Sequence, residues 1–435
     1  MRKTAYDVIV IGAGAAGLCA ADELARAGYA TLVLEARERV GGRCWSLPIA
    51  GLPVPIELGA EFIHGRPRAT SSLIEACGSA VVDVPRRPWI VKSGHLEPRV
   101  DYLTEIHAAM KRDRSLVRRD MSFDAYLEHV LRPRISDAAR LHARMLVQGY
   151  DAADPACVSA RAIVAEWTQE GATALARPHS GYGPLLGHLH ASAQAANVKF
   201  ALQTVARRLV WKRGAVMVEA VSAHGSMRVT AARTLITLPV GVLQDQAHNP
   251  GALTFSPRVK GKRAALRALG AGPVIKVVLH FSTAFWEKCH GGRYLDGTFF
   301  HCPGAAFPTF WNALPVRAPL LVAWAGGPHA ERLRGASRAR ILQNAMRSLR
   351  GIFGASAPSR LIGAHLHHWQ QDPYARGAYS YVRVGGGGAR EALAAPVAGT
   401  LYFAGEATDF EGEAGTVAGA LQSGRRAALQ IIRGL

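Results

Sequence analysis

The sequence contains no run of roughly 18 unbroken apolar residues, which is the length that a membrane-spanning helix needs. Its apolar start, residues 8–21, is interrupted by Gly12, Gly14 and Gly17. These glycines also argue against a secretory signal peptide, because the apolar region of such a peptide is continuous. We therefore expect a protein without a membrane segment that remains in the cytoplasm.

Cysteine is scarce, with six residues in a chain of 435. The cysteines show neither close pairing nor the spacing of metal ligands, a pattern that suits a reducing compartment. The sequence therefore predicts no disulfide bond and no metal site.

Acidic residues are too few to balance the basic ones, and the formal net charge is +20. The basic residues are mostly arginines in alanine-rich stretches such as residues 332–350, without the interleaved aromatic residues of a nucleic-acid platform. We therefore expect no nucleic-acid partner. A positive field of this strength would also repel a polycationic substrate unless acidic groups line the entrance to its site.

The chain is long enough for two or three packed domains. A βαβ unit opens it, a mostly helical stretch is expected over residues 80–190, and a strand and a helix are expected to close it. The strands predicted between these parts cover residues 205–221, 235–238, 276–281 and 319–324, the last two forming a second sheet, and a further helix covers residues 337–352.

The opening βαβ unit carries a dinucleotide-binding pattern. A β-branched strand at residues 6–11 leads into Gly12-Ala13-Gly14-Ala15-Ala16-Gly17, which is followed by a helix at 18–27 and a strand at 30–34. Gly12 allows the sharp turn, Gly14 allows backbone to approach a pyrophosphate, and Gly17 allows close helix–strand packing. Glu35 lies about 20 residues beyond Gly14, where a carboxylate binds ribose hydroxyls.

Arginines after Glu35 favour FAD over NAD. Arg37 and the run Arg39-Val40-Gly41-Gly42-Arg43 place guanidinium groups beside the phosphate site. EARERVGGR after GAGAAG resembles the flavin amine oxidase family, which includes monoamine oxidases, polyamine oxidases, amino-acid oxidases and lysine-specific histone demethylases. The chain is most similar to the polyamine oxidase-like branch.

The C-terminal end also resembles this family. LYFAG at residues 401–405, Glu406 and GTVAGALQSG at 415–424 are similar to its closing strand, loop and helix, whose N-terminus points at the flavin pyrimidine. The resemblance implies an FAD site formed by Gly12, Gly14, Ala16, Gly17, Glu35, Ala36, Arg37, Gly42, Arg43, Gly59, Ala60, Glu61, Val205, Trp369, Gly405, Glu406, Thr416 and Val417.

The resemblance also implies the substrate side. Lys276, in GPVIKV, matches the lysine that holds a water against flavin N5. A strand lysine is more often a surface charge, but its apolar neighbours favour a functional or paired one. Trp369 and Tyr379, in WQQDPYARGAYSY, match aromatic walls, with core packing as the alternative. His64, in EFIHG, matches a residue that contacts substrate, and a structural histidine is the alternative.

Two departures refine this expectation. Ala378 stands where monoamine oxidases have the cysteine that binds flavin covalently, so the FAD should be non-covalent. Thr416 stands where they have the second tyrosine of an aromatic cage, so the cage should be half open. The expected catalytic residues are Lys276, Tyr379, Trp369, His64 and Thr416.

The expected fold is therefore α/β, with a Rossmann-like FAD-binding domain interleaved with an α+β substrate-binding domain of mixed sheet and helices. The first domain would comprise residues 1–78, 192–272 and 395–435, and the second residues 79–191 and 273–394. The expected partners are a small amine and O2, and the sequence is compatible with a homodimer.

The expected reaction is oxidation of a secondary or polyamine-like amine by hydride transfer to flavin N5, followed by imine hydrolysis and reoxidation by O2 to give hydrogen peroxide. An L-amino-acid oxidase would need an arginine for the substrate carboxylate, which Arg376 or Arg383 could supply. A carotenoid- or protoporphyrinogen-type desaturase shares the flavin motifs but gives no reason for Lys276 with Trp369 and Tyr379. A histone demethylase would require further modules for which we expect no room, and a catalytically idle flavin-binding protein is a further alternative.

Overall fold

The computed structural model describes residues 6–113, 115–169, 174–358 and 361–434. Its strands are, in chain order, β1 (Tyr6–Ile11), β2 (Thr31–Leu34), β3 (Ser46–Leu47), β4 (Ile56–Glu57), β5 (Ile63–His64), β6 (Val81–Asp83), β7 (Pro88–Lys92), β8 (His95–Pro98), β9 (Leu175–Pro178), β10 (Lys199–Ala201), β11 (Thr204–Lys212), β12 (Ala215–Ser222), β13 (Gly225–Ile236), β14 (Thr254–Ser256), β15 (Leu269–Ala271), β16 (Val274–His280), β17 (Phe299–His301), β18 (Thr309–Asn312), β19 (Leu320–Gly326), β20 (Gly363–His368), β21 (Ser380–Val382) and β22 (Leu401–Phe403). Its α-helices are α1 (Ala15–Arg26), α2 (Arg68–Ala76), α3 (Leu103–Arg112), α4 (Ser115–Arg118), α5 (Phe123–Tyr126), α6 (Asp137–Gly149), α7 (Ala160–Trp167), α8 (Gly183–Ala195), α9 (Val240–Leu243), α10 (Lys260–Ala268), α11 (Pro328–Glu331), α12 (Arg338–Phe353), α13 (Ala389–Ala394) and α14 (Val417–Arg433).

The first large sheet joins distant parts of the chain. Its strand order is β10-β2-β1-β13-β12-β11-β14, and β22 pairs with β13. The β1, β2, β13 and β22 strands are mutually parallel where they pair, as in a nucleotide-binding sheet. The predicted βαβ unit and the predicted closing strand therefore belong to one sheet, and the predicted α/β class is confirmed.

Glycines allow the helices on this sheet to approach one another closely. Gly12 turns the chain after β1 with φ +108°, and a Cβ added at Gly17 would lie 1.9 Å from the Gly12 carbonyl oxygen. A Cβ added at Gly424 on α14 would lie 2.3 Å from the carbonyl oxygen of Ala16 on α1. The first and last helices of the chain are therefore in backbone contact at positions where only glycine fits.

The second large sheet has the order β20-β16-β19-β18-β17-β7-β8. Its central strands form a row of residues that face one another directly: Lys276 pairs with Trp324, Trp324 with Thr309, and Thr309 with His301. Directly opposed residues point to the same face of a sheet. The alternate residues of the same strands, such as Val277 and Phe310, belong to the apolar core on the other face.

The stretch from residue 80 to 190 is only partly helical, and the expectation of a mostly helical region was wrong. Helices α3 to α7 surround a core that includes Phe123 and Trp167, but strands β6 to β9 lie in the same stretch. The β7–β8 hairpin turns through Ser93 and Gly94, both at positive φ. Its strands have five and four residues, too few to show a period of two in the sequence.

Within the described ranges, the structure contains no helix that combines the length and apolar character needed to cross a bilayer. The six cysteines all carry free thiols.

Candidate active site

A cavity of about 880 Å³ is lined by residues of both large sheets and of the first turn of α14. Every predicted site residue except Gly17 lines it: Gly12, Gly14, Ala16, Glu35, Ala36, Arg37, Gly42, Arg43, Gly59, Ala60, Glu61, His64, Val205, Lys276, Trp369, Tyr379, Gly405, Glu406, Thr416 and Val417. The structure thus brings the predicted nucleotide-side and substrate-side residues around one space.

The glycine turn presents backbone to this cavity. Gly14 is the N-cap of α1, and its N-terminus receives no side-chain capping hydrogen bond. A Cβ added at Gly14 would meet no atom within 4 Å. The first N–H groups of α1 are therefore available to a ligand, and a helix N-terminus of this kind favours phosphate oxygens. Gly17 acts indirectly, because it allows the close packing that positions the turn.

Glu35 lies at the end of β2 and is held by backbone groups. Its Oε2 accepts a hydrogen bond from the Ala13 N–H at 2.8 Å, and its Oε1 accepts one from the Arg37 N–H at 2.9 Å. Burial raises the pKa of this carboxyl, while the two hydrogen bonds oppose the shift. These bonds place the carboxylate directly beside the glycine turn.

The two arginines predicted to contact the cofactor each bind a carboxylate. Arg37 donates to Asp372 at 2.9 Å, and Arg43 donates to Glu406 at 2.8 Å and to the Ala378 carbonyl oxygen at 2.7 Å. Burial would raise the pKa of the Glu406 carboxyl, but the positive charge of Arg43 contributes to holding it below its usual value. Both guanidinium groups are thus positioned at the cavity wall by buried acids.

The N-terminus of α14 opens into the cavity beside Thr416. The Thr416 hydroxyl accepts a hydrogen bond from the Gly419 N–H at 3.0 Å and donates one to the Glu413 carbonyl oxygen at 2.6 Å. Burial and the nearby Asp409 raise the pKa of the Glu413 side chain to about 7. Thr416 is therefore the N-cap of a 17-residue helix whose positive end faces the cavity.

Lys276 is a buried, paired cation and not a surface charge, since its exposed fraction is 1%. Its Nζ donates to Glu61 Oε2 at 2.7 Å and to the Gly59 carbonyl oxygen at 3.1 Å. The other oxygen of Glu61 accepts a hydrogen bond from Arg177 at 3.1 Å. Burial opposes ionisation of Glu61, but Lys276 and Arg177 outweigh it and lower the pKa of this carboxyl.

Arg177 and Trp311, neither of which was predicted from the sequence, complete this network. The Trp311 indole N–H lies 3.1 Å from both carboxylate oxygens of Glu61. Arg177 comes from β9 in the stretch expected to be mostly helical, and Trp311 comes from β18. Neither residue belongs to a recognisable motif, so only the three-dimensional pairing of the strands reveals them.

Among the predicted substrate-side residues, Tyr379 and His64 both contact Tyr150, and Trp369 is bound to a backbone carbonyl group. The Trp369 indole N–H donates to the Leu58 carbonyl oxygen at 2.9 Å, and Trp369 is buried. The Tyr379 hydroxyl donates to the Tyr150 carbonyl oxygen, while the His64 ring meets the Tyr150 ring edge-on at 4.9 Å. Burial lowers the pKa of His64 to about 4, so its imidazole is neutral near pH 7.

A pair of carboxyl groups next to these aromatic residues was not predicted. Asp151 and Glu166 both line the cavity and act on the pKa of Tyr379. Burial, together with the neighbouring Glu166, raises the pKa of Asp151 well above its usual value. Burial and the mutual repulsion of the two carboxylates therefore favour protonation of this pair more than protonation of exposed carboxyl groups.

The two arginines considered for an amino-acid substrate lie elsewhere. Arg376 pairs with Asp245 at 2.8 Å, and Arg383 donates to the Leu269 carbonyl oxygen at 3.3 Å. Neither is among the described residues that line the cavity. The structure gives them no place from which to bind a substrate carboxylate there.

Residues 15–432 match the family model of the flavin containing amine oxidoreductases. The chain is 28% identical to lysine-specific histone demethylase 2 of Homo sapiens, over 98% of this chain and 53% of that protein. It is 27% identical to polyamine oxidase 4 of Oryza sativa subsp. japonica, over 97% of this chain and 87% of that protein. The chain thus spans about half the length of the histone demethylase and most of the length of the polyamine oxidase.

Solved structures share the fold. A putrescine oxidase bound to putrescine superimposes with a TM-score of 0.80 at 22% identity, covering 98% of this chain and 99% of that one. Cyclohexylamine oxidase from Brevibacterium oxydans gives a TM-score of 0.79 at 20% identity with the same coverage. At these identities the likeness concerns the arrangement of helices and sheets.

Proposed function

Because the chain belongs to the family of flavin-containing amine oxidoreductases, we propose that it oxidises a secondary or polyamine-like amine with a non-covalently bound FAD. One observation carries this proposal: a single cavity is lined by the glycine turn, by the N-terminus of α14 and by Lys276, Trp369 and Tyr379. A dinucleotide could extend through this cavity from the glycine turn to the aromatic residues Trp369 and Tyr379. When bound, the flavin supplies a hydride acceptor at N5 and passes the electrons to O2, giving hydrogen peroxide.

The residues of the cavity fit an adenine dinucleotide. The uncapped N-terminus of α1 suits the pyrophosphate, and Glu35 suits ribose hydroxyls. The N-terminus of α14 suits the electron-rich pyrimidine edge of a flavin, since its dipole favours negative charge. Ala378, whose carbonyl oxygen is bound by Arg43, offers no thiol for a covalent link.

The residues on the substrate side suit an amine in its neutral form. The amine can lose a hydride from its α-carbon only when it is unprotonated, and an apolar wall favours that form. Trp311, Trp324, Phe299 and Tyr379 all line this part of the cavity. Lys276, held by Glu61, would orient a water molecule toward the reacting atoms, and Tyr379 would position the substrate.

The acidic pair gives a protonated amine a reason to enter a strongly basic protein. Asp151 and Glu166 line the cavity, and in their ionised form they can attract an ammonium group despite the net charge of +20. They can also accept the proton that the amine must lose before oxidation, because Glu166 also has a raised pKa, with burial as its largest cause.

We also propose which segments bind the cofactor and which form the substrate side. Residues 1–78, 192–272 and 395–435 would hold the FAD, and residues 79–191 and 273–394 would form the substrate side. The two sheets support this division, because the first contains the glycine turn and the second contains Lys276. The free cysteines are compatible with a cytoplasmic location.

Two measurements test the proposal. Purified protein should be yellow, and acid or heat should release intact FAD, whereas flavin that stays with the precipitate would contradict non-covalent binding. Anaerobic mixing with a panel of amines should bleach the flavin absorbance, with secondary and N-acetylated polyamines reacting faster than benzylamine. If an amino acid or a polyene bleaches the flavin and no amine does, the proposed reaction is wrong while the fold assignment stands.

A further inference from the structure

Across the second sheet from Lys276, the cavity wall carries a cationic group bound by neutral partners. Arg99, directly after β8, lies 2.9 Å from His301 Nε2 through Nη1 and 3.0 Å from His142 Nε2 through Nη2. Because arginine can only donate, both Nε2 atoms accept, and each imidazole is neutral with its proton on Nδ1. Burial and the charge of Arg99 lower the pKa of His142 to about 4.

In the described part of the chain, the charge of Arg99 is not paired directly with a carboxylate, although Asp101 is close enough to favour its charged form. Among the described residues it forms no salt bridge with a carboxylate, and its buried Nε has no hydrogen-bond partner. The Asp101 carboxylate, which also lines the cavity, accepts instead from the Leu103 N–H at 2.9 Å. Burial lowers the pKa of Arg99 to about 10, an effect that Asp101 opposes and Arg86 reinforces. A partly buried guanidinium in this state is stabilised when an anion binds it.

The separation between Arg99 and Lys276 follows from strand register. Lys276, Trp324, Thr309 and His301 are directly opposed on four neighbouring strands. Neighbouring strands lie about 4.8 Å apart, so three spacings separate Lys276 from His301 by about 14 Å. Arg99 contacts His301 at the far end of this row.

Apart from Thr309, the wall between Lys276 and His301 is apolar and aromatic. The Phe299 ring lies 6.4 Å from the Trp311 ring and 6.1 Å from the Phe62 ring, and all three residues line the cavity. Phe299 also stacks on His301, with ring centroids 6.5 Å apart and planes 9° apart. A hydrocarbon chain could therefore lie along this row between the two cationic side chains.

We propose that Arg99 binds a carboxylate at the distal end of an elongated amine substrate, whose amine is oxidised beside Lys276. This inference rests on the proposed amine oxidation and narrows its substrate class to long-chain amines that carry an acidic group. It also fits the basic composition, because the carboxylate makes the protonated substrate a zwitterion, which a net charge of +20 does not repel.

The first experiment compares two compounds of equal length on the FAD-loaded enzyme. ω-(Methylamino)dodecanoic acid and N-methyldodecylamine differ only at the end expected to reach Arg99. A carboxylate bound by a charge-assisted hydrogen bond should lower the apparent Kd in anaerobic flavin reduction roughly ten- to a hundred-fold relative to the methyl terminus. ω-(Methylamino)hexanoic acid is too short to span the row and should gain no such advantage.

The second experiment uses variants. Arg99→Gln should abolish the preference for the long acid, and Arg99→Lys should retain part of it. Arg161→Gln is the matched control, because Arg161 also lines the cavity but its Nε donates to the Leu116 carbonyl oxygen at 2.8 Å. Flavin content and circular dichroism identify any variant that fails to fold.

A binding measurement separates this proposal from the proposed reaction. Dodecanoate should bind the wild-type holoenzyme in calorimetry. Arg99→Gln should raise the Kd of dodecanoate roughly ten- to a hundred-fold, and Arg161→Gln should leave it unchanged. If dodecanoate binds as expected but no amine reduces the flavin, the amine reaction fails and the carboxylate site stands. If amines are oxidised but the long acid has no advantage over N-methyldodecylamine, or dodecanoate binds equally to the Arg99→Gln variant, the carboxylate site is wrong.

Discussion

The two ends of the cavity, the proposed nucleotide end at the glycine turn and the proposed substrate end at Lys276, are constructed in different ways. At the nucleotide end, the ligand-facing groups are mainly backbone N–H groups and glycines of one βαβ unit, with Glu35 bound to two amides of the same unit. At the other end, Lys276 meets Glu61 across 215 positions of sequence, and Glu61 meets Arg177 across 116. The first end depends on backbone shape and the second on paired charges, so substitutions should affect them differently.

The largest effect should come from the paired charges. Lys276→Met should leave FAD bound but slow flavin reduction, reoxidation or both by about a hundredfold, because the lost group acts on the chemistry. Stopped-flow absorbance measures both half-reactions. The matched control is Lys262→Met, since Lys262 is also buried but donates to backbone carbonyls of α13 at 2.8 and 2.9 Å. Equal rates of flavin reduction and of reoxidation in wild type and Lys276→Met would show that Lys276 takes no part in the reaction.

A pair of glycine substitutions tests the nucleotide end. Gly17→Ala should destabilise the protein by about 3 kcal/mol, because the new Cβ would overlap the Gly12 carbonyl oxygen. Gly14→Ala should leave stability nearly unchanged and lower flavin occupancy, because its Cβ would project into open space of the cavity. Urea denaturation of the apoprotein and flavin titration distinguish the two. Similar stability losses in both variants would contradict the assignment.

A smaller effect is expected from side chains at the same end. Glu35→Ala and Arg43→Ala should each weaken FAD binding about tenfold, the size of one charge-assisted hydrogen bond, without changing the rate of reduction at saturating FAD. Glu23→Ala on α1 is the control, because Glu23 pairs with Arg425 at the surface at 3.2 Å. Unchanged FAD affinity in both test variants would mean that the nucleotide end has been misassigned.

The smallest effect concerns selectivity between amine substrates at Thr416, which lies between the proposed nucleotide end and the proposed substrate end of the cavity. Thr416→Tyr should narrow the cavity and lower the rate for secondary amines a few-fold more than the rate for slim primary amines. The substitution also removes the hydroxyl cap of α14, which costs about 1 kcal/mol. Thr416→Ser keeps the cap and should keep the wild-type selectivity. An equal loss for both amine classes would show that only the cap matters.

Sequence reasoning was strongest where structure is local. The glycine turn, α1 and Glu35 follow one another within 30 positions of the chain, so their pattern predicts their geometry. Arg177, Trp311 and Tyr150 could not be identified in this way. Each belongs to a short strand or helix end, and its role arises only from pairing with a distant residue.

Charged residues of the cavity illustrate the same limit. Net charge is a sum over the whole chain, whereas the raised pKa of Asp151 and of Glu166 arises because folding buries the two carboxyl groups together. The resemblance to a family located Lys276, but its partner Glu61 was expected to contact the cofactor, and its bond to Lys276 became visible only in the fold.

The contact between α1 and α14 has a consequence for folding. Gly424 packs against Ala16, and β22 pairs with β13, so the wall beside Thr416 joins segments that are far apart in the sequence. Contacts of large sequence separation form slowly, because closing a long loop costs chain entropy. The cavity wall beside Thr416 should therefore form late in folding, and a chain truncated before residue 401 would lack β22 and α14 and with them this wall.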